Sequence, residues 1–483
     1  MTRRRTLGFL LVALLAFGCS GPRPPGSYRA EPKNCPDRTT EAQGIGLALS
    51  GGGYRATLFH AGALRRLNEL GLLYQVKEIS SVSGGSITNG ELAVFYRKLG
   101  GRPHDVISTE KWNKGFADPI HELTGRNIRS KPILERIFLP WNWFKPDFGV
   151  QSMAKELDQH FGGVRLIDLA EEPDFVFQAT DLSFGVSWEF RPWRVGSYKT
   201  GYLQPPPDSW SLGQAVAASA AFPPVFAPMV VPPTGVYESY YVEKGQWDKQ
   251  KPDRQQRWKP IPAEGCWKSG DWSFAMQNLR LQDGGVYDNL ALEPVWKVGK
   301  IVLVSDAGGP FSNRPDEGLL KRGLRWTSII DNQSRALRKR MLIGLDDHDM
   351  TVSYWATNQP SDRSTTAKGY SAELAEDYIA QIRTDLNVFS EAERAILENH
   401  GYLAADEAIF KTVCHRKRPD EKESDLRGCK PSEKLPTREL PQEFRHLANS
   451  WPPLQPPHPS WLPGAKTECQ LKKALFKDDP CKD

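Results

Sequence analysis

Ile45-Gly46-Leu47-Ala48-Leu49-Ser50-Gly51-Gly52-Gly53-Tyr54-Arg55 decides how this chain folds, and Glu78-Ile79-Ser80-Ser81-Val82-Ser83-Gly84-Gly85-Ser86 follows the same pattern. In both, a short apolar run ends in a glycine-rich turn. A helix-like stretch comes next: apolar residues at Leu58, Ala61, Leu64 and Leu67 share one helical face. The spacing predicts a strand over 45–49, a helix over 57–70, a strand over 75–82 and a helix over 86–99. Two successive strand–turn–helix units begin a parallel α/β sheet, with both turns at the same end of it. Phe175 to Ala179 and Ile301 to Val304 read as further core strands.

The two turns carry complementary chemistry. Gly51, Gly52 and Gly53 lack Cβ atoms, so successive amides can converge on one oxyanion, helped by the positive end of the helix that follows. Arg55 either steadies that loop or adds positive charge. Ser83 stands where a strand turns sharply into a helix, and Gly84 and Gly85 give the room a strained nucleophile needs. Ser81 occupies the position where a Gly-x-Ser-x-Gly elbow has its first glycine. A third element is Asp283-Gly284-Gly285, an aspartate whose small neighbours let it approach a serine unobstructed.

Competing readings of these residues are weaker. Gly51 to Ala56 formally fits a dinucleotide fingerprint, but Ser81-Val82-Ser83 stands where that fingerprint needs an acid, and no Gly-Lys-Ser/Thr follows. No nucleotide is expected. Asp306 is an alternative base, and Asp181 reads as structural. His348 would complete a serine–acid–histidine order, His60 reads as packing, and Ser219 as the start of a helix.

Together the three motifs resemble the patatin-like phospholipase family, as do Ala179-Thr180-Asp181-Leu182 and Ala218-Ser219-Ala220-Ala221-Phe222-Pro223-Pro224. The resemblance covers about residues 44–310. It implies a three-layer α/β fold with a mainly parallel central sheet flanked by helices. It also implies a Ser83–Asp283 dyad, an oxyanion hole at Gly51, Gly52, Gly53 and Arg55, and a turn at Gly284 and Gly285 that presents the base. The expected substrate is a phospholipid or lysophospholipid, cleaved without metal or other cofactor. Two alternatives stand beside it: a non-catalytic lipid-binding module with the same fold, and an esterase using a histidine triad.

The rest of the chain frames this unit. Of 483 residues, 39% are apolar, enough for a substantial core, while 15 Trp and 38 Pro point to long aromatic loops. Three of the five net positive charges are Arg3, Arg4 and Arg5, and no basic stripe suggests nucleic acid. Those arginines precede an apolar stretch, Leu7 to Phe17. As a helix it would span roughly 16 Å against a bilayer core of about 30 Å, so it reads as a signal segment over 1–18. Ala16-Phe17-Gly18-Cys19 resembles a bacterial lipobox, which makes Cys19 the expected lipid attachment and the cell envelope the expected location. Residues 19–43 form a tether.

Without Cys19 six cysteines remain. Cys414–Cys429, Cys469–Cys481 and Cys35–Cys266 are one pairing among fifteen. No cysteine spacing suggests zinc. An aromatic-rich insertion spans about 230–280 and, like Trp141-Asn142-Trp143-Phe144, either packs on the core or meets a lipid surface. Residues 311–413 read as a helical part of the same unit. Within them Ser390 to Glu393 forms a capping box, and its helix is expected to stop near Gly401. Residues 414–483 read as a disulfide-pinned tail with little core of its own.

Overall fold

The computed structural model describes residues 44–130, 147–198, 201–203, 206, 209–223, 225–231, 279–311, 319–346, 350–361, 369–414, 441–447 and 450–476. The leader with Cys19, most of the aromatic insertion, Trp141 to Phe144 and His348 lie outside them. Among the described residues no helix is long and apolar enough to cross a membrane.

The chain begins as its sequence predicts: β1 (Ile45–Leu49), α1 (Gly53–Glu69), β2 (Val76–Val82) and α2 (Gly84–Lys98). α3 (Phe148–Phe161) leads to β3 (Asp174–Asp181), β4 (Val186–Phe190), β5 (Val195–Ser197) and β6 (Gly201–Leu203). Then come α4 (Leu212–Ser219), β7 (Met229–Val230), β8 (Arg280–Asp283), β9 (Ile301–Asp306), α5 (Leu319–Asp346), β10 (Thr351–Ala356) and α6 (Glu391–Cys414).

One sheet runs β10-β9-β1-β2-β3-β4-β5-β6. Its first five strands are parallel and the rest antiparallel. β1 and β9 are buried along their whole length, which explains their unbroken apolar runs, whereas the edge strand β10 alternates. This is a mixed α/β fold with a mostly parallel central sheet flanked by helices.

One detail of the topology positions the site. β2 lies along β3 from Asp174 to Gln178, and β4 occupies the other edge of β3. β8 pairs antiparallel with β3 at Ala179 to Asp181, so it continues the edge that β2 has just left. β2 and β8 therefore run toward each other and end at adjacent positions: Val82 opposite Gln178, Asp283 opposite Ala179.

α1 and α6 pack in backbone contact. A Cβ on Gly62 would sit 1.8 Å from the carbonyl oxygen of Glu398, and one on Gly401 1.8 Å from that of Phe59. α6 starts at the expected capping box, with Ser390 and Glu393 bonded reciprocally. It runs through Gly401 rather than stopping there, because that glycine makes room for the neighbouring helix and the packing offsets its cost of about 1 kcal/mol.

The described part of the C-terminal region packs on the main body. Phe444, Leu447 and Leu471 are buried in the main core. The Arg66 guanidinium binds Asp406 and the carbonyls of Pro452 and Pro453. Glu398, buried in α6, accepts hydrogen bonds from His121 at 2.6 Å and His458 at 2.8 Å. Burial alone would raise its pKa, but the two imidazoles bring it down to about 2. Cys469 is disulfide-bonded.

Candidate active site

Ser83 follows β2 directly and holds φ 53°, ψ −121°. Positive φ is uncommon for a residue with a Cβ and persists only where the surroundings enforce it. Here they do. The Ser83 amide donates to Ser219 Oγ at 3.0 Å, and its carbonyl accepts the amides of Ser86 and Ile87 at the start of α2. A Cβ on Gly84 would sit 2.0 Å from the Gly53 carbonyl oxygen, so elbow and glycine loop touch backbone to backbone. A Cβ on Gly85 would sit 2.4 Å from the Leu49 carbonyl oxygen and 2.6 Å from that of Ser50. Thr57 of α1 ties the same two loops, its hydroxyl reaching the carbonyls of Gly53 and Gly84.

Asp283 ends β8 beside this elbow. Its Oδ1 accepts the Gly285 amide at 2.7 Å, while Oδ2 is buried and closes no hydrogen bond of ordinary length. Burial raises its pKa to about 7, against the opposing pull of the Gly285 amide and the Ser83 side chain. A carboxylate so tuned is a usable base at neutral pH, where an ordinary aspartate near 3.9 is not. Gly284, between base and turn, packs against the Gln178 carbonyl and Val82. Asp283 and Ser83 are thus adjacent, though 200 positions apart in the chain.

The glycine loop is more specialised than its sequence suggests. The Gly51 amide donates to the Asn289 carbonyl at 3.0 Å, so it is not available to an oxyanion. Gly51 instead packs against the Asn289 side chain and Ser83 Cβ. Gly52, with φ 142°, and Gly53, with φ 56°, keep amides that donate to no carbonyl among the described residues. The three expected donors reduce to these two.

Arg55 plays the first of the two roles expected of it. Its buried guanidinium binds the carbonyls of Ala307, Ala380 and Ile382, which anchors the loop and leaves the charge in the scaffold. His60 lies beneath: Nε2 donates to the Ser50 carbonyl at 2.9 Å and Nδ1 accepts from Ser305 Oγ at 2.7 Å. Burial pushes its pKa down to about 4, so it is neutral and structural.

Sequence reasoning missed the support under the elbow. Ser219 closes α4 rather than opening a helix. Its hydroxyl holds the Ser83 amide and meets Ser86 Oγ at 2.8 Å, and its carbonyl accepts the Gly284 amide at 3.1 Å. Ser81 fits in place of glycine because its hydroxyl is fully used. It donates to the Val176 carbonyl and accepts from Ser86 and Asn89. The run of small residues around Ser219 was the available signal.

The rival acids are committed elsewhere. Asp306 ends β9 on Arg335, Lys339 and the Tyr354 hydroxyl. Burial would raise its pKa, but the two cations hold it well below the usual carboxylate range. Asp181 accepts the Ser183 amide in the turn after β3, and burial raises it to about 6.

The arrangement is that of an α/β protein built to present a serine between a strand and a helix, beside a buried acid and two unspent amides. A sequence model of the patatin-like phospholipase matches residues 47–296, and the chain belongs to that family of lipid ester hydrolases. No curated protein sequence matches the chain significantly. Among solved structures it is similar to human GIVD cytosolic phospholipase A2 at 15% identity and TM-score 0.37, over 75% of this chain and 60% of that one. The same enzyme in complex with methyl gamma-linolenyl fluorophosphonate gives 16%, TM-score 0.39, and 76% and 58%. VipD from Legionella pneumophila gives 13%, TM-score 0.32, and 76% and 67%. The chain thus spans about 60% of the human phospholipase's length.

Proposed function

We propose that the protein hydrolyses carboxylic esters of phospholipids or lysophospholipids through a Ser83–Asp283 dyad. Asp283 takes the hydroxyl proton as Ser83 Oγ attacks the ester carbonyl carbon. The amides of Gly52 and Gly53 receive the oxyanion, and each such donor is worth on the order of 100- to 1000-fold in rate. The intermediate collapses, the carbon–oxygen bond to the leaving alcohol breaks, and Asp283 returns its proton to that oxygen. Water, deprotonated by Asp283, then attacks the acyl-serine; the carbon–Oγ bond breaks, Asp283 passes the proton to Ser83 Oγ, and the fatty acid leaves. No step uses a metal or nucleotide. Cys19, if lipidated in the cell envelope as the leader suggests, would hold this site beside its substrate.

The observation that carries the reading is a strained Ser83 beside the buried carboxyl of Asp283, whose pKa burial raises to about 7. A fluorophosphonate probe tests it: wild-type protein should label and Ser83→Ala should not, and only the former should release fatty acid from a panel of diacyl and lyso lipids. Absence of labelling would leave the non-catalytic module, and loss of turnover in His348→Ala would favour a histidine triad. Intact mass of the mature protein tests Cys19, since an unmodified cysteine removes the anchor.

A further inference from the structure

α5 is amphipathic the wrong way round for a helix on a globular surface. Trp326, Ile330, Leu337 and Met341 recur on one helical face, and this face is turned to water. Trp326, Ile330 and Leu337 are 60%, 68% and 60% exposed, with Ile329 beside them also exposed. The opposite face, which packs on the protein, is charged. Arg335 binds Asp306 and the Gly309 carbonyl, Arg338 binds Asp288 and the Tyr287 carbonyl, and Lys339 binds Asp306. Among the described side chains of that face, Leu342 enters the apolar core. No described residue covers the outer stripe, which exposed Gln333 interrupts midway, and exposed apolar side chains gathered on one face mark a contact surface.

Charge and position indicate what it contacts. Beside the three cations already bound to Asp306 and Asp288, α5 carries Lys321, Arg322, Arg325 and Arg340, against Asp331 and Asp346 as its acidic residues. Arg340, exposed, is spaced to fall on the flank of the stripe. A basic helix with a Trp/Ile/Leu face has the composition of an element that lies in a bilayer interface. It also adjoins the catalytic cleft. Asp331 is near enough to Asp283 to act on its charge, and the Arg338 guanidinium stacks over the Tyr287 ring. Val286, three residues after Asp283, and Phe222, which follows the Ala221 whose carbonyl accepts the Asp283 amide, are both exposed. A helix lying in the lipid surface there would bring the mouth of the site to the bilayer.

We infer that the outer face of α5 seats the protein on an anionic phospholipid surface, with Trp326, Ile330, Leu337 and Met341 inserted and the basic flank on the headgroups. The inference deepens the hydrolase reading and its purpose rests on it, so the test is read without turnover. Ser83→Ala protein is sedimented with equimolar phosphatidylglycerol–phosphatidylcholine vesicles and with phosphatidylcholine alone. Binding should favour the anionic vesicles and weaken with salt. Ile330→Glu combined with Leu337→Glu should weaken it by about tenfold or more, since both inserted side chains lose their apolar burial. Arg340→Glu should reduce the preference for anionic lipid. A melting temperature close to the parent's shows that each variant is folded. Unchanged sedimentation of the folded double variant overturns the proposal. A solution dimer that the same variant splits also overturns it, because a second copy then covers the face. Equal binding to neutral vesicles overturns the choice of an anionic surface.

Discussion

The hydroxyl oxygen of Ser219 accepts the amide of Ser83 at 3.0 Å, and the carbonyl of the same residue accepts the amide of Gly284 at 3.1 Å. One residue at the end of α4 thus holds both the nucleophile's turn and the base's turn. Ser219→Ala removes the first bond and leaves the second. The expected result is a fall in kcat of about tenfold or more with KM little changed, because the loss is of alignment and not of substrate contact. Ser219→Thr, which keeps the hydroxyl, should recover much of the rate. Steady-state kinetics on a soluble ester would show the split.

Burial raises the Asp283 pKa to about 7, so the base gains its charge progressively around that pH and is mostly ionised above it. The rate kcat/KM should therefore rise with pH through about 7 and level off above it, and a profile centred near pH 4 would contradict the burial of this group. Replacing the base by Asn should cost about 100- to 10,000-fold in kcat.

The same shift has a consequence for stability. A carboxyl raised from 3.8 to about 7 on folding makes the native state less stable as pH climbs through that interval, and the full cost is present above pH 7. Asp283→Asn removes the cost, and its Oδ1 can still accept from Gly285. Denaturant unfolding should find the variant more stable than the parent by a few kcal/mol at pH 8, with the difference gone below pH 4.

Arg55 distinguishes a scaffold from a catalytic cation. Arg55→Met leaves the carbonyls of Ala307, Ala380 and Ile382 without their buried donor. A loss of roughly 2–4 kcal/mol in unfolding free energy is expected. Lysine should not restore it, since one ammonium cannot span three acceptors. A variant of normal stability with a collapsed kcat would place the charge in the cleft instead.

Ser81→Gly restores the glycine common at this position of the elbow but strips Ser86 and Asn89 of an acceptor. It should destabilise by about 1–2 kcal/mol while turnover persists, read by paired melting and activity measurements.

How far the sequence reached depends on whether each feature is local. The strands 45–49 and 76–82, their glycine turns and their helices follow from apolar spacing and from the steric needs of a tight turn, so they are legible residue by residue. α1 nevertheless starts at Gly53, earlier than its apolar face suggests, because the φ values of Gly52 and Gly53 let the chain enter the helix at once. The capping box at Ser390 was legible for the same local reason. The end of its helix was not, because Gly401 answers to Phe59 on another helix. Ser219 reads only as a helix start and Asn289 not at all, since their roles lie wholly in partners far along the chain.

By itself, then, the sequence determined the alternation of strand, turn and helix, the residue types that can carry ester chemistry, and the family, because backbone sterics and periodic burial act over a few residues. Tertiary structure alone decided that β8 takes the edge of β3 beyond β2 and so brings Asp283 to Ser83, that Gly51 spends its amide on Asn289, and that α5 turns its apolar face outward. Each of these depends on which distant surface is nearest, and no short stretch of chain contains that information.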